Sequence, residues 1–191
     1  MINYLSLLAF IIFVFLALGR VFMLLRKRGK NTFFFGVTDK SDFLLPPIVF
    51  LFLFTILAST FGLPLPAVLT TAFFRNTAVG WAGLVLSYGS LVWFAFTLKS
   101  FGDSFRIGID ETTKDDLVTS GMFAISRNPI YVAFLAFVTG MFLIYPNIVA
   151  GAVFIFSMTV IHRQVLREEK FLRSHYGAEY ENYYRRVRRY L

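Results

Sequence analysis

The residues able to do chemistry fall in two short stretches. Five of the 11 acids lie between Phe101 and Arg127, and four more follow Arg163. The chain contains no cysteine, which excludes disulfides, thiolate nucleophiles and Cys-ligated metals together. The first stretch ends Leu117-Val118-Thr119-Ser120-Gly121-Met122-Phe123-Ala124-Ile125-Ser126-Arg127-Asn128-Pro129-Ile130-Tyr131, where a polar loop joins an apolar run. Pro129 suits the first turn of a helix, and Asn128 before it suits the N-cap. Taken alone, that join also describes a well-capped membrane helix with an interfacial Arg and Tyr. In the second stretch Glu168 lies about one turn beyond Gln164 and Arg163, so a carboxylate and a guanidinium line one helix face. Exposed pairs at this spacing are also ordinary helix stabilisers worth about 0.2–0.5 kcal/mol. His162 and His175 stand 13 positions apart with no short-spaced ligand pair, so no metal site is expected from them and the Glu168-Glu169 pair.

What must position these residues is mostly hydrocarbon. The chain has 191 residues, 57% of them hydrophobic, 25 of them Phe and only 16% charged, with a mean hydropathy of +0.67. An ordinary soluble domain carries about 25% charged residues, so a water-soluble globule is excluded. The length has room for five or six crossings of about 20 apolar residues, and we expect a single integral membrane domain over 1–191, with no second soluble domain. The net charge of +8 fits positive charge collected on the cytoplasmic side better than nucleic-acid binding.

Five spans are predicted, making the fold all-α and polytopic. The first runs over about 4–25, with Arg20 near one end, where it can snorkel; its N-terminal flank lacks the basic side chains of a signal peptide. The second runs over 43–61 and stops at Gly62-Leu63-Pro64-Leu65-Pro66. The third, 76–98, contains Gly80, Gly83 and Gly89, which suit close helix contact. The uncharged run from Asn128 to Ile161 has 34 residues, too long for one crossing and short for two. Tyr145-Pro146-Asn147 in its middle reads as a turn, giving a tight hairpin of two short or tilted helices, 130–144 and 148–161. A tail, 162–191, follows, with a helix stop at Gly177 and a second short helix over Ala178 to Tyr190, rich in Tyr and Arg as at a membrane interface. Lys and Arg in alternate loops and the tail number 17 against one, which places the N-terminus outside and the tail in the cytoplasm.

The two stretches together resemble the isoprenylcysteine carboxyl methyltransferase and phospholipid N-methyltransferase superfamily of integral membrane enzymes. Its members carry Leu-Val-x-x-Gly-x-Tyr-x-x-x-Arg-His-Pro-x-Tyr, then a helical hairpin, a Glu-Glu pair, an aromatic-Gly and a Tyr-x-x-Tyr-x-x-Arg-Val ending. The matching residues are Leu117, Val118, Gly121, Arg127, Pro129, Tyr131, Glu168, Glu169, Tyr176, Gly177, Tyr180, Tyr183, Arg186 and Val187, all within the last 90 residues or so. The resemblance implies methyl transfer from S-adenosyl-L-methionine to a hydrophobic acceptor entering from the bilayer, an isoprenylcysteine-type carboxylate or a lipid amine. It implies cofactor contacts at Gly108, Asp115, Asp116, Leu117, Val118, Phe123, Arg127, Asn128, Pro129, Ile130, Tyr131 and Glu168. Glu168, Arg163 and Arg106 are the candidates for handling the acceptor. Free amides at a helix start are a natural seat for the cofactor's carboxylate, and Glu168 suits its amino group or ribose hydroxyls. The family's His is Asn128 here, which hydrogen-bonds but does not titrate near neutral pH. Its Tyr is Phe123, and an Arg often found four residues before the first Glu is Gln164.

Two other readings fit parts of the pattern. The tail also resembles that of NADPH-dependent membrane sterol reductases, which have more spans than 191 residues supply. A small scaffold whose basic tail binds anionic lipid is the non-enzymatic alternative. Membrane lipids are the expected partners, nucleic acid is not, and the small size suits a prokaryotic plasma membrane.

Overall fold

The computed structural model describes residues 1–28, 45–64, 66–101 and 117–191, and every regular element among them is helical. In chain order these are α1 (Ile2–Arg28), α2 (Leu45–Phe61), α3 (Ala67–Thr70), α4 (Thr77–Phe101), a 3-10 turn (Gly121–Ala124), α5 (Pro129–Ile144), α6 (Ile148–Tyr176) and α7 (Ala178–Arg186). By length and composition three can cross a membrane, Ile2–Gly19, Thr77–Ser100 and Ile148–Tyr176, and two shorter apolar helices, Phe50–Phe61 and Pro129–Ile144, accompany them. Helices suit hydrocarbon because each satisfies its own backbone. Their hydroxyls follow the same rule: Thr55, Thr60, Ser87, Thr97, Thr139 and Thr159 each donate to the carbonyl four residues back.

Exposed apolar stripes mark the lipid-facing sides. On α1, Tyr4, Leu8, Ile11, Phe15, Leu18 and Phe22 recur every three or four residues and all stand exposed, while Ser6, Ala9 and Phe10 between them are buried. A patch of that size belongs against lipid and not water. The buried face packs Phe10, Phe52, Ile56, Leu91, Phe137 and Met141 into one core. Within it Phe13 stacks on both Phe94 and Phe137, at centroid distances of 5.1 and 4.5 Å.

The tightest pairing is α4 against α5, and small residues make it possible. A Cβ on Gly83 would fall 2.6 Å from the Gly140 carbonyl oxygen, and one on Gly140 would fall 2.5 Å from that of Gly83. Gly80 and Gly89 differ: a Cβ at Gly80 would make an ordinary contact with Ile2, and one at Gly89 would meet nothing within 4 Å. Of the three glycines expected to bring helices together, Gly83 is the one that does.

The hairpin turns where the sequence places it. Asn147 accepts from the Ala150 amide at 2.9 Å as the α6 N-cap, and the Pro146 carbonyl accepts from the Phe73 amide at 2.7 Å. At this end of the bundle Tyr145 and Ser6 share a 2.5 Å hydrogen bond, and Asn3 donates to the Ser59 carbonyl at 2.9 Å. With 16 residues, α5 is about 24 Å long. Helix α6 does not stop with its apolar part at Ile161 but continues to Tyr176, where Gly177, at φ 54°, turns the chain back. Helix α7 ends at Arg186, short of the expected Tyr190, because the carbonyls of residues 187–189 bond to groups of the segment before α5.

Candidate active site at the start of α5

The segment leading into α5 is fixed from two sides. Gly121, at φ 60°, lies so close to Ser100 that a Cβ there would strike its side chain, and the Ser100 hydroxyl accepts from the Met122 amide at 3.1 Å. The Trp93 indole donates to the Pro129 carbonyl at 3.0 Å, so α4 holds both ends of the approach. From the other side Phe123 is buried against Tyr180 and Tyr183, with Leu117 and Val118 packed around them. The Tyr183 hydroxyl donates to the Phe123 carbonyl at 2.7 Å.

Glu168 and Glu169 are neighbours in sequence but about 100° apart around α6, and they serve different sites. Glu168 faces α5: the Tyr131 hydroxyl donates to its Oε1 at 2.5 Å, and Gln164 Nε2 donates to the same oxygen at 3.0 Å. Glu169 is buried between two guanidinium groups, with Arg127 and Arg189 each at 2.9 Å. Burial pushes the Glu169 carboxyl up, but hydrogen bonds from Arg189 and Arg127, with their charges, outweigh it and hold the group below the usual carboxylate range. The tyrosines beside it stay neutral. Burial, followed by the charge of Glu169, pushes Tyr180 up to about 12, and burial raises Tyr183 as well.

Arg127 is the hub of this second cluster. Beyond Glu169 its guanidinium donates to the carbonyls of Tyr184 and Val187 and lies over the Tyr184 ring, 4.0 Å from its centroid. Its amide donates to the Arg188 carbonyl at 2.9 Å. Ser126 Oγ and Asn128 Nδ2 both donate to the Arg189 carbonyl, at 3.2 and 3.1 Å. Residues 187–190 thus form a non-helical strap across the start of α5. Asn128 occupies the N-cap position, yet its side chain makes no cap hydrogen bond, turning instead to Glu169 and the strap. The Ser126 hydroxyl accepts from the Asn128 amide at 3.1 Å.

Of the residues singled out in the sequence, the structure brings Tyr131 and Glu168 into contact, with Pro129 and Ile130 in the same first turn of α5; Arg127 and Asn128 bond instead to Glu169, and Leu117, Val118 and Phe123 pack against Tyr180 and Tyr183. Arg163 stands exposed on α6. Arg106, Gly108, Asp115 and Asp116 lie outside the described residues. Arg189, Ser126, Trp93 and Ser100 carry positioning bonds that sequence reasoning missed. Among four arginines in Arg185-Arg186-Val187-Arg188-Arg189, nothing local distinguishes the one that turns inward. An apolar groove of ≈ 530 Å³ lies elsewhere, between α1 and α4 beside Gly89 and Val92.

Chemically, the first cluster sets a carboxylate that accepts from Tyr131 and Gln164 beside a helix start, whose first-turn amides lie outside the helix's own hydrogen-bond ladder. Such a pair suits a ligand carrying a cationic and an anionic group. A family model described as phospholipid methyltransferase matches residues 75–179, which span α4, α5 and α6. Neither curated proteins nor solved structures give a match.

Proposed function

Because the chain belongs to the phospholipid methyltransferase family and is a membrane methyltransferase, we propose that it uses S-adenosyl-L-methionine to methylate a lipid amine held in the bilayer, at the cytoplasmic ends of α5 and α6. The observation that carries this reading is the Tyr131–Glu168 hydrogen bond, which joins the two family motifs across the hairpin inside the matched region. The donor set fits the cofactor: Glu168 offers a negative partner for its amino group or ribose, and the first turn of α5 offers amides to its carboxylate. When bound, the cofactor supplies an electrophilic methyl group on a sulfonium.

The chain's own residues then align, shield and deprotonate. Tyr131 and Gln164 restrain Glu168 by two donors to one oxygen. Ile130, packed with Phe94 and Leu98, keeps water from the bilayer side. A lipid ammonium must lose a proton before its nitrogen lone pair can attack in line, and Glu168 or a water beside it is the candidate to accept it. A carboxylate acceptor of the isoprenylcysteine type would instead need a cation; Arg127 and Arg189 are engaged with Glu169, while Arg163 stands exposed on α6. The description of the matching family, phospholipid methyltransferase, favours the lipid amine.

Calorimetric titration of detergent-solubilised protein with S-adenosylhomocysteine tests the cofactor. Micromolar binding is expected, weakened about tenfold in Tyr131→Phe, as for loss of one hydrogen bond to a charged group. It is expected to vanish in Glu168→Ala. Binding of NADPH without binding of S-adenosylhomocysteine would instead support the reductase reading.

A further inference from the structure

We propose that the outer face of the C-terminal strap docks on anionic lipid headgroups, and that this docking holds the strap closed over the start of α5. The geometry returns the strap to the membrane. After the reversal at Gly177, α7 leads back along α6 until the Tyr190 hydroxyl lies 2.9 Å from His162 Nδ1, one residue past the apolar run. Arg189 reaches Glu169, so residues 187–190 lie beside the 162–169 stretch of α6. At 1.5 Å per residue this stretch is within about 12 Å of the end of the apolar run, close to one Debye length at 0.1 M salt.

The strap and α7 sort their cations by face. Arg189 turns inward to Glu169, whereas Arg185, Arg186 and Arg188 are exposed. Arg188 shows the division within one residue: its carbonyl accepts from the Arg127 amide while its side chain stands outside. The opposite face of α7 buries Tyr180 and Tyr183. The acids on α7 lie in its first turn, where Glu179 is exposed and Glu181 is shared between Arg173 at 3.2 Å and Arg185 at 3.8 Å, so they offset the outer face only in part. Arg186 Nε reaches the Asn182 carbonyl of its own helix. Three exposed arginines at headgroup level, on an element whose inner face is already bonded, complement a negatively charged leaflet.

Docking and order are linked because the strap's inner bonds end on Ser126, Arg127 and Asn128. Lipid that binds only the closed strap shifts the equilibrium toward it. The effect on cofactor affinity rests on the methyltransferase reading, whereas the docking itself does not.

The test is hydrogen exchange of the intact chain in nanodiscs of pure phosphatidylcholine and of a 7:3 mixture with phosphatidylglycerol. Each arginine near an anionic surface contributes about fivefold, so three, partly screened, should slow exchange at residues 126–128 and 178–190 about tenfold in the anionic discs. The difference should vanish in about 0.5 M salt, where the Debye length falls to about 4 Å. It should also vanish in an Arg185→Gln, Arg186→Gln, Arg188→Gln variant, whose outward side chains leave the fold and its melting in detergent unchanged. Equal exchange in both discs overturns the proposal. S-adenosylhomocysteine titrated into the same discs should bind more tightly in the anionic ones. Protection without tighter binding refutes the coupling to the site. Lipid-dependent protection with no binding in either disc refutes the cofactor assignment and leaves the docking standing.

Discussion

Replacing Glu169 by Ala should damage the protein more than any other single change to the tail. The side chains of Arg127 and Glu169 are 6% and 8% exposed, so the substitution leaves a buried guanidinium without its counter-ion. Breaking a buried pair from one side destabilises by about 3–5 kcal/mol. Arg127 keeps the carbonyls of Tyr184 and Val187 as acceptors, which places the expected loss at the lower end, about 3 kcal/mol. Arg189→Ala should lose less, because its side chain is 31% exposed and Arg127 remains to balance Glu169; about 1 kcal/mol is expected, near the value of a surface pair. Denaturant unfolding in a fixed detergent reads both, and a double-mutant cycle through Arg127→Ala isolates the coupling. A loss below about 1 kcal/mol for Glu169→Ala, or additivity with Arg127→Ala, would refute the view that this triad holds the tail in place.

Two further outcomes follow from the same geometry. The folded Glu169 carboxyl sits below its ordinary value of 4.5, so its contribution to stability should be complete above that value and be lost as pH falls through the lower folded one. Unfolding followed from pH 7 downward should show this slope in the wild type and a flatter one in Glu169→Gln. Between α4 and α5, Gly140→Ala sets a Cβ 2.5 Å from the Gly83 carbonyl and 3.0 Å from the Ser87 amide. It should destabilise by about 1–3 kcal/mol through overpacking. Gly89→Ala, with nothing within 4 Å, should be neutral or stabilising, and a loss comparable to that of Gly140→Ala would contradict the packing described.

Much of the architecture was readable because hydropathy alone decides which segments enter hydrocarbon. The turn at Tyr145-Pro146-Asn147 and the stop at Gly177 follow from local chemistry, and both stand where the sequence places them. Tyr131 and Glu168, 37 residues apart, were paired through resemblance and not through spacing, and the structure joins them. What stayed hidden is long-range. Glu169 looks like its neighbour in sequence, and only the course of the chain beyond Gly177 reveals that two arginines close on it. Asn128 illustrates the same limit: its type and position fit a cap, but a buried carboxylate and a strap carbonyl compete for its amide group and win.

The brevity of α5 bears on the bilayer itself. Its 16 residues span about 24 Å, against a hydrocarbon thickness of about 30 Å. Local thinning of the surrounding lipid is one response open to a short apolar helix, and it is the one expected here to draw headgroups toward Pro129 instead of lifting acceptors out toward water. Turnover should then follow membrane thickness, faster among short acyl chains and slower among long ones, making lipid length a selective variable independent of headgroup chemistry.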